Sequence, residues 1–302
     1  MMLIHDLACD PDWLTERYRF DAKARCKELE AAALNHFHGR RSMRILDVGA
    51  GLGANTRYYG NLLACDQEWI LVEKDLSLAR NCLSDLSRWA ECNTWDHRPV
   101  PEGLEIRQEH TRMVIHMATA SMRNLGDRVN LSSVDLATAN AVFDLLSKEQ
   151  LFSFLSELHS FRVAILATMN YRSMRFHPQE EEDLEYVALY ERHMRRRQDF
   201  GFAMGPGCSD IMITRLEEMG YEVRSGKSIW IITSADRQML RCVLTFMRGA
   251  ISEMLATPAE LAGLERWISN KLDRADRDQL KLLVGHMDIF GRFPEQKRLQ
   301  LH

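Results

Sequence analysis

The sequence predicts an α/β fold, a mostly parallel sheet with helices on both faces, and three observations carry that expectation. Short apolar runs (Arg44–Val48, Trp69–Glu73, Leu104–Arg107, a stretch within 131–139, and Arg162–Met169) alternate with segments whose apolar residues recur at helical spacing. Such alternation implies parallel pairing through right-handed crossovers. The first run ends in a glycine-rich bend, Gly49-Ala50-Gly51-Leu52-Gly53, and the second ends in an acid, Glu73. That is how an open sheet builds a ligand crevice beyond its strand ends.

The elements follow in order. Asp10-Pro11 reads as a helix start, and Trp13, Leu14, Ala22, Cys26, Leu29, Ala33 and Phe37 give one leader helix ending near Gly39, a helical unit over 1–40. The main domain spans 41–302. A helix follows Gly53, and another over Ser77–Trp89 carries Leu78, Cys82, Leu86 and Trp89 on one face. NTWDHRPVPEG, with two prolines and a glycine, reads as a loop. Ser147 with Gln150, and Thr257 with Glu260, have the spacing of capping boxes that open helices. RVAILATM reads as a fully buried fifth strand. A polar helix over 178–197, the loop DFGFAMGPG and a helix ending at Gly220 make an inserted helical lid of about 172–219. Strand-like pieces lie within 221–232, a helical extension covers about 235–302, and Leu280–Gly285 is a last short strand leading into a turn at GHMD.

Composition narrows the function. Of 302 residues, 46% are hydrophobic and 27% charged, enough for a substantial core. A formal net charge of −4, from 39 basic and 43 acidic residues, disfavours a nucleic-acid partner, because counterion release needs a basic excess. The seven cysteines are scattered, with no CxxC pair, so no zinc cluster or disulfide framework is expected; a reducing cytoplasm fits, and no metal site is assigned. Leu7-Ala8-Cys9 looks like a lipobox but lacks a basic flank and a long apolar stretch. No run approaches the roughly 18 apolar residues that span a membrane. Met239, Met247 and Met254 read as core or interface filling, and a homodimer is compatible with the sequence.

The segment ILDVGAGLGAN bears the chemistry. Glycines let a ligand approach the backbone and permit positive φ. A carboxylate at Glu73 can accept hydrogen bonds from both hydroxyls of a ribose, so the ligand contains adenosine. Gly49-x-Gly51-x-x-Ala54 also matches a dinucleotide fingerprint. Asp47, two residues before the first glycine, suits a cationic amino-acid tail better than a pyrophosphate.

ILDVGAGLGAN with LVEKD resembles the class I S-adenosylmethionine-dependent methyltransferases. TRYYGNLL, DLATANAVFDLLS, DFGFAMGP and VGHMDIF extend the likeness to a bacterial group of that superfamily over most of the chain. The resemblance implies a seven-stranded Rossmann-like fold and S-adenosylmethionine as cofactor, with S-adenosylhomocysteine as product. It implies that Asp47, Gly49, Ala50, Gly51, Gly53 and Asn55 surround the methionine part. Glu73 would hold the ribose, with Lys74 and Asp75 beside it. Gln108, Glu109 or His110 would meet the adenine edge, the acidic Glu109 fitting best, and Asp135 to Asn140 would line the methyl side. Thr138-Ala139-Asn140-Ala141 departs from the N-P-P-Y pattern of nucleobase amino-methyltransferases, which removes the main reason to expect a base substrate. Lys74 stands where relatives often carry histidine.

Methyl transfer to O, N or C of a small molecule is therefore the expected activity. The alternatives are an RNA-modifying enzyme, a catalytically silent binding partner and a nicotinamide oxidoreductase. In-line displacement depends on positioning, and a base helps where the acceptor loses a proton. Asp144 and His193 are the candidate bases, ahead of Tyr171, His286 and Asp288; a surface role for His193 and a helix-capping role for Asp144 are the bland readings. Arg195-Arg196-Arg197 reads as a solvated helix end.

Overall fold

The computed structural model describes residues 11–126, 128–198 and 201–294. Leu7-Ala8-Cys9, the Asp10 cap and Asp199-Phe200 of DFGFAMGP lie outside the described residues. The single leader helix is instead two, α1 (Pro11–Ala24) and α2 (Lys27–Phe37), jointed at Arg25 and Cys26. Then come β1 (Ser42–Val48), α3 (Ala54–Gly60), β2 (Asp66–Glu73), α4 (Leu76–Cys92), β3 (Asp96–Val100), β4 (Gly103–Arg107), β5 (Arg112–Thr119) and β6 (Leu136–Asn140). The second half comprises α5 (Lys148–Ser160), β7 (Ala164–His177), α6 (Glu181–Met194), the small hairpin β8 (Arg197–Gln198) and β9 (Gly201–Phe202), α7 (Cys208–Glu218), β10 (Glu222–Thr233), α8 (Arg237–Ser252), α9 (Pro258–Asp276) and β11 (Lys281–Arg292).

The main sheet has nine strands in the order β10-β11-β7-β6-β1-β2-β5-β4-β3. Its centre, β5-β2-β1-β6-β7, is parallel throughout. The β10–β11, β11–β7, β4–β5 and β3–β4 pairs are antiparallel. The α/β architecture is as expected, but two of the expected details change. The sheet is mixed and has nine strands rather than seven, because NTWDHRPVPEG supplies β3 and the segment after Thr111 supplies β5. Pro99 is tolerated there because β3 is an edge strand. The expected helical extension over about 235–302 is interrupted by β11, which threads between β7 and β10. GHMD lies within that strand, so the expected turn at His286 and Asp288 is absent.

Apolar cores form on both faces. One packs α2, α3 and α4 side chains, including Leu29, Tyr59 and Leu86, against Ile45, Trp69 and Ile115. The other packs Leu151, Leu155, Met212 and Leu216 against Leu46, Ala137 and Ile165. A third core joins α8 and α9 to the ends of β7, β10 and β11, with Met239 and Met247 fully buried. Each such side chain contributes about 1.5–3 kcal/mol on burial. Thr257 and Glu260 complete their capping box, whereas Ser147 accepts from the Gln150 amide without the reciprocal bond. The region expected as a lid, 172–219, divides into the end of β7, α6, the hairpin and α7, and α7 packs under the sheet. No helix among the described residues is long and apolar enough to cross a membrane.

Candidate functional site

At the carboxyl ends of the parallel strands lies a cavity of about 320 Å³. Its first wall is the glycine bend. Gly49, Gly51 and Gly53 have φ of +64°, +53° and +77°, a region that favours glycine. The amides of Gly49 and Ala50 donate to the Val72 carbonyl at 2.8 and 3.2 Å, which ties the bend to β2. Glu73 accepts from the Gly51 amide through Oε2 at 3.0 Å and from the Asp75 amide through Oε1 at 2.9 Å. Asp75 in turn caps α4 by accepting from the Ser77 and Leu78 amides. Gly49, Gly51, Glu73 and Lys74 all line the cavity. Ala50 is buried behind the bend, and Gly53 packs against Leu86.

Asp47 and Asn55 lie one layer deeper. Asn55 Nδ2 donates to Asp47 Oδ1 and to Thr138 Oγ1, both at 3.0 Å. Its Oδ1 accepts from Arg25 Nη2 at 2.8 Å, and Arg25 Nη1 donates to Thr168 Oγ1 at 3.2 Å. Thr168 donates to Asn140 Oδ1, whose amide donates to Asp21, itself paired with Arg17 at 3.1 Å. Of the residues expected around the cofactor, Asn140 thus reaches the cavity wall while Asp47 and Asn55 support it from behind. Burial pushes the Asp47 carboxyl up to about 7 against the opposing influence of Asn55 and Arg25. The sequence reading missed Arg25 and Thr168, which are polar residues inside otherwise apolar helix and strand patterns, and had Thr138 only within the span Asp135 to Asn140.

Two expected positions are corrected. Glu109 sits in the turn between β4 and β5, almost fully exposed, at the opposite end of the sheet. Leu104–Arg107 is an antiparallel strand, and the third parallel strand is β5. The residues that follow it, Ala120, Ser121 and Met122, line the cavity in place of Gln108, Glu109 and His110. Asp135 precedes β6 rather than following it. There it accepts from the Arg44 amide at 2.9 Å and pairs with Arg40, far from the strand ends.

The other half of the cavity brings Asp144, Tyr171, His193 and His286 together, and Asp288 is held apart. Asp144 is 5% exposed, and its Oδ1 is buried without a hydrogen-bond partner. Burial raises this carboxyl to about 6, opposed by hydrogen bonding from the Asp144 amide, by Arg17 and by the Tyr171 amide. Both ring nitrogens of His193 are engaged: Nε2 with Glu253 Oε2 at 2.8 Å, and Nδ1 by donation from Arg196 at 3.1 Å. Burial lowers its affinity for a proton. Arg196 is therefore turned inward, unlike its exposed neighbours Arg195 and Arg197. Burial likewise pushes His286 down to about 3, so it is a neutral wall residue. Tyr171 donates to Glu191 at 3.2 Å. Asp288 accepts from the amides of Cys26 and Met169 and from Ser228, a latch between α2, β7 and β10. Among the described residues no group of three or more His, Cys, Asp or Glu is arranged to hold a metal ion.

No family model matches the chain, and no curated protein matches it. Solved structures do resemble it. A cyclopropane synthase of Mycobacterium tuberculosis is 11% identical, with 96% of this chain and 98% of that chain covered and a TM-score of 0.46. Geranyl diphosphate C-methyltransferase of Streptomyces coelicolor, in complex with S-adenosylhomocysteine, is 11% identical over 88% of this chain and 76% of that chain, with a TM-score of 0.40. Phosphoethanolamine N-methyltransferase 2 of Haemonchus contortus, in complex with S-adenosylmethionine, is 14% identical over 89% of this chain and 53% of that chain, with a TM-score of 0.42. At such identity and superposition the functional reading rests on the site's own geometry.

Proposed function

We propose that this protein is an S-adenosylmethionine-dependent methyltransferase acting on a small-molecule acceptor. The observation that carries the reading is the continuity of one cavity. It runs from the bare glycine bend and Glu73 to a separate wall holding Asp144 and His193. The residues present fit the cofactor. Gly51 lines the cavity at positive φ, and a Cβ there would reach van der Waals contact with Leu14 at 3.6 Å, so the bare backbone keeps its amide side open to a ligand. Glu73 is held in place by two amides and keeps lone pairs for ribose hydroxyls. Ala120, Ser121 and Met122 would flank the adenine, and Asn140 the methyl side. When bound, the sulfonium supplies an electrophilic methyl carbon.

The chain's own groups do the rest. Trp13, Leu14 and Arg17 on α1 roof the cavity and exclude water. Asp144 is the group able to take a proton from the acceptor, since it has an uncommitted oxygen and an affinity near the working pH. His193, clamped at both nitrogens, braces α6 against Glu253 and Arg196 and positions that wall.

Calorimetry with S-adenosylhomocysteine and with NAD tests the reading. Tight binding of the first and none of the second is expected. Binding of NAD alone overturns it.

A further inference from the structure

Six aromatic rings in the acceptor half of the cavity form a closed circuit. Trp13 meets Trp230 at 6.2 Å between centroids and Phe246 at 6.1 Å. Phe246 meets Tyr190 at 6.3 Å, and Tyr190 meets Tyr171 at 6.0 Å. Tyr171 meets His286 at 6.3 Å, and His286 returns to Trp230 at 4.8 Å. All six side chains line the cavity, and they come from α1, β7, α6, β10, α8 and β11.

Most of the charges around this chamber are committed, and Glu191 accepts from the Tyr171 hydroxyl. Arg17 is committed to Asp21 at 3.1 Å and lies over the Trp230 ring at 5.1 Å. Arg196 and Glu253 offset each other across His193. His286 is neutral. The Asp144 carboxyl is met by the backbone amides of Asp144 and Tyr171, but its Oδ1 is buried with no hydrogen-bond partner in the chain. A buried carboxylate oxygen without a hydrogen bond is costly, and a ligand that brings both a positive charge and a donated hydrogen satisfies it best. Aromatic faces favour the same ligand, because their quadrupoles attract cations. An anionic acceptor would be repelled by Asp144.

We propose that the acceptor is an amine with an apolar body, held as its ammonium form between the aromatic circuit and Asp144 and methylated on nitrogen. This deepens the methyltransferase reading and rests on it. The ammonium gives one proton to Asp144, and the freed nitrogen lone pair forms the new N–C bond. The C–S bond of S-adenosylmethionine breaks with its electron pair going to sulfur. The products are a more substituted ammonium and S-adenosylhomocysteine, and Asp144 releases its proton to solvent.

The test measures binding of phenethylamine, 2-phenylethanol and phenylacetate to the full chain by calorimetry, with and without saturating S-adenosylhomocysteine. The expected result is that phenethylamine binds at least tenfold more tightly than 2-phenylethanol and that phenylacetate does not bind. Asp144→Asn should erase the difference between amine and alcohol while S-adenosylhomocysteine still binds. If that variant does not fold, the comparison on the unaltered protein decides. Amine and alcohol binding equally, or the amine not binding at all, overturns the proposal even where S-adenosylhomocysteine binds. Failure of S-adenosylhomocysteine to bind overturns the cofactor reading instead, and a retained preference for the amine would then still support a cation site.

Discussion

Asn55 donates to Asp47 across 3.0 Å behind the glycine bend, so the carboxylate of β1 is hydrogen-bonded inside the protein rather than at the cavity wall. Asp47 is 1% exposed, and its proton affinity is raised to about 7 by burial. The folded state therefore holds a proton that the unfolded chain releases near its ordinary value. The stability associated with the protonated form is fully present below the unfolded value and is lost as pH rises through about 7. Asp47→Asn removes that dependence. Urea unfolding should show the variant gaining on the parent between pH 4.5 and pH 8 by on the order of 3–4 kcal/mol, at about 1.4 kcal/mol per tenfold of proton affinity. A difference independent of pH would show that folding does not raise the proton affinity of Asp47.

Arg25 joins Asn55 and Thr168 from the joint between α1 and α2, with its guanidinium over Tyr58 and Tyr59 at 4.4 and 4.8 Å. Arg25→Met fills similar space but leaves the Asn55 carbonyl oxygen and the Thr168 hydroxyl short of a donor and removes a cation from beside buried carboxylates. Unfolding by denaturant should register a loss of about 3–5 kcal/mol. A loss under 1 kcal/mol would mean the network is not a support of the fold.

What was legible in the sequence was local. The positive-φ bend from Gly49 to Gly53 and the place of Glu73 at the end of β2 were readable because each is contained in a few consecutive residues at a strand end. The position of Glu109 was not, because LEIR and the segment after Thr111 are both short apolar runs. Only pairing shows that the first turns back on the second, which moves Glu109 to the far end of the sheet. Asp135 failed for a related reason: within the 131–139 stretch the strand begins only at Leu136 and runs to Asn140, so the acid falls before it. The aromatic circuit had no local signal at all. Its members are spread from Trp13 to His286 and meet only after β11 inserts between β7 and β10.

Gly49 and Gly51 separate stability from binding. Both have positive φ, which costs a substituted side chain about 1–2 kcal/mol. A Cβ at Gly49 would also lie 2.7 Å from Val142 Cγ2, whereas one at Gly51 would meet nothing closer than 3.6 Å. Gly49→Ala should be the more destabilising in thermal unfolding, and Gly51→Ala should keep most of its stability while losing at least tenfold in affinity for S-adenosylhomocysteine. Equal loss of affinity and stability in both would place the ligand elsewhere.

Glu73 supports the Gly51 amide and also offers its lone pairs to a ligand. Glu73→Gln keeps one carbonyl acceptor and the side chain's shape but removes the charge. Affinity for S-adenosylhomocysteine should fall by about 1–3 kcal/mol, the range for a hydrogen bond to a charged group. Adenosine alone should lose a similar amount, because the effect belongs to the ribose, and homocysteine should be unaffected. Calorimetry with the three ligands checks this, and a loss confined to homocysteine would reverse the orientation.

Asp144 sets the expected pH dependence of turnover. Burial raises its carboxyl to about 6, so the proton-accepting form is depleted below that pH and is nearly complete by pH 8. For an acceptor that must lose a proton, kcat/KM should therefore rise with pH through about 6 and then level, apart from any titration of the acceptor itself. Asp144→Asn should lower kcat by about 10²–10⁴-fold, the range for a positioned base, and should abolish that limb of the profile. His193→Gln, which retains a donor toward Glu253, should leave the limb in place, because His193 meets Arg196 and Glu253 with both nitrogens. If instead the limb vanished with His193 and survived loss of Asp144, the base would be the histidine, and the buried carboxylate would serve only to hold the acceptor.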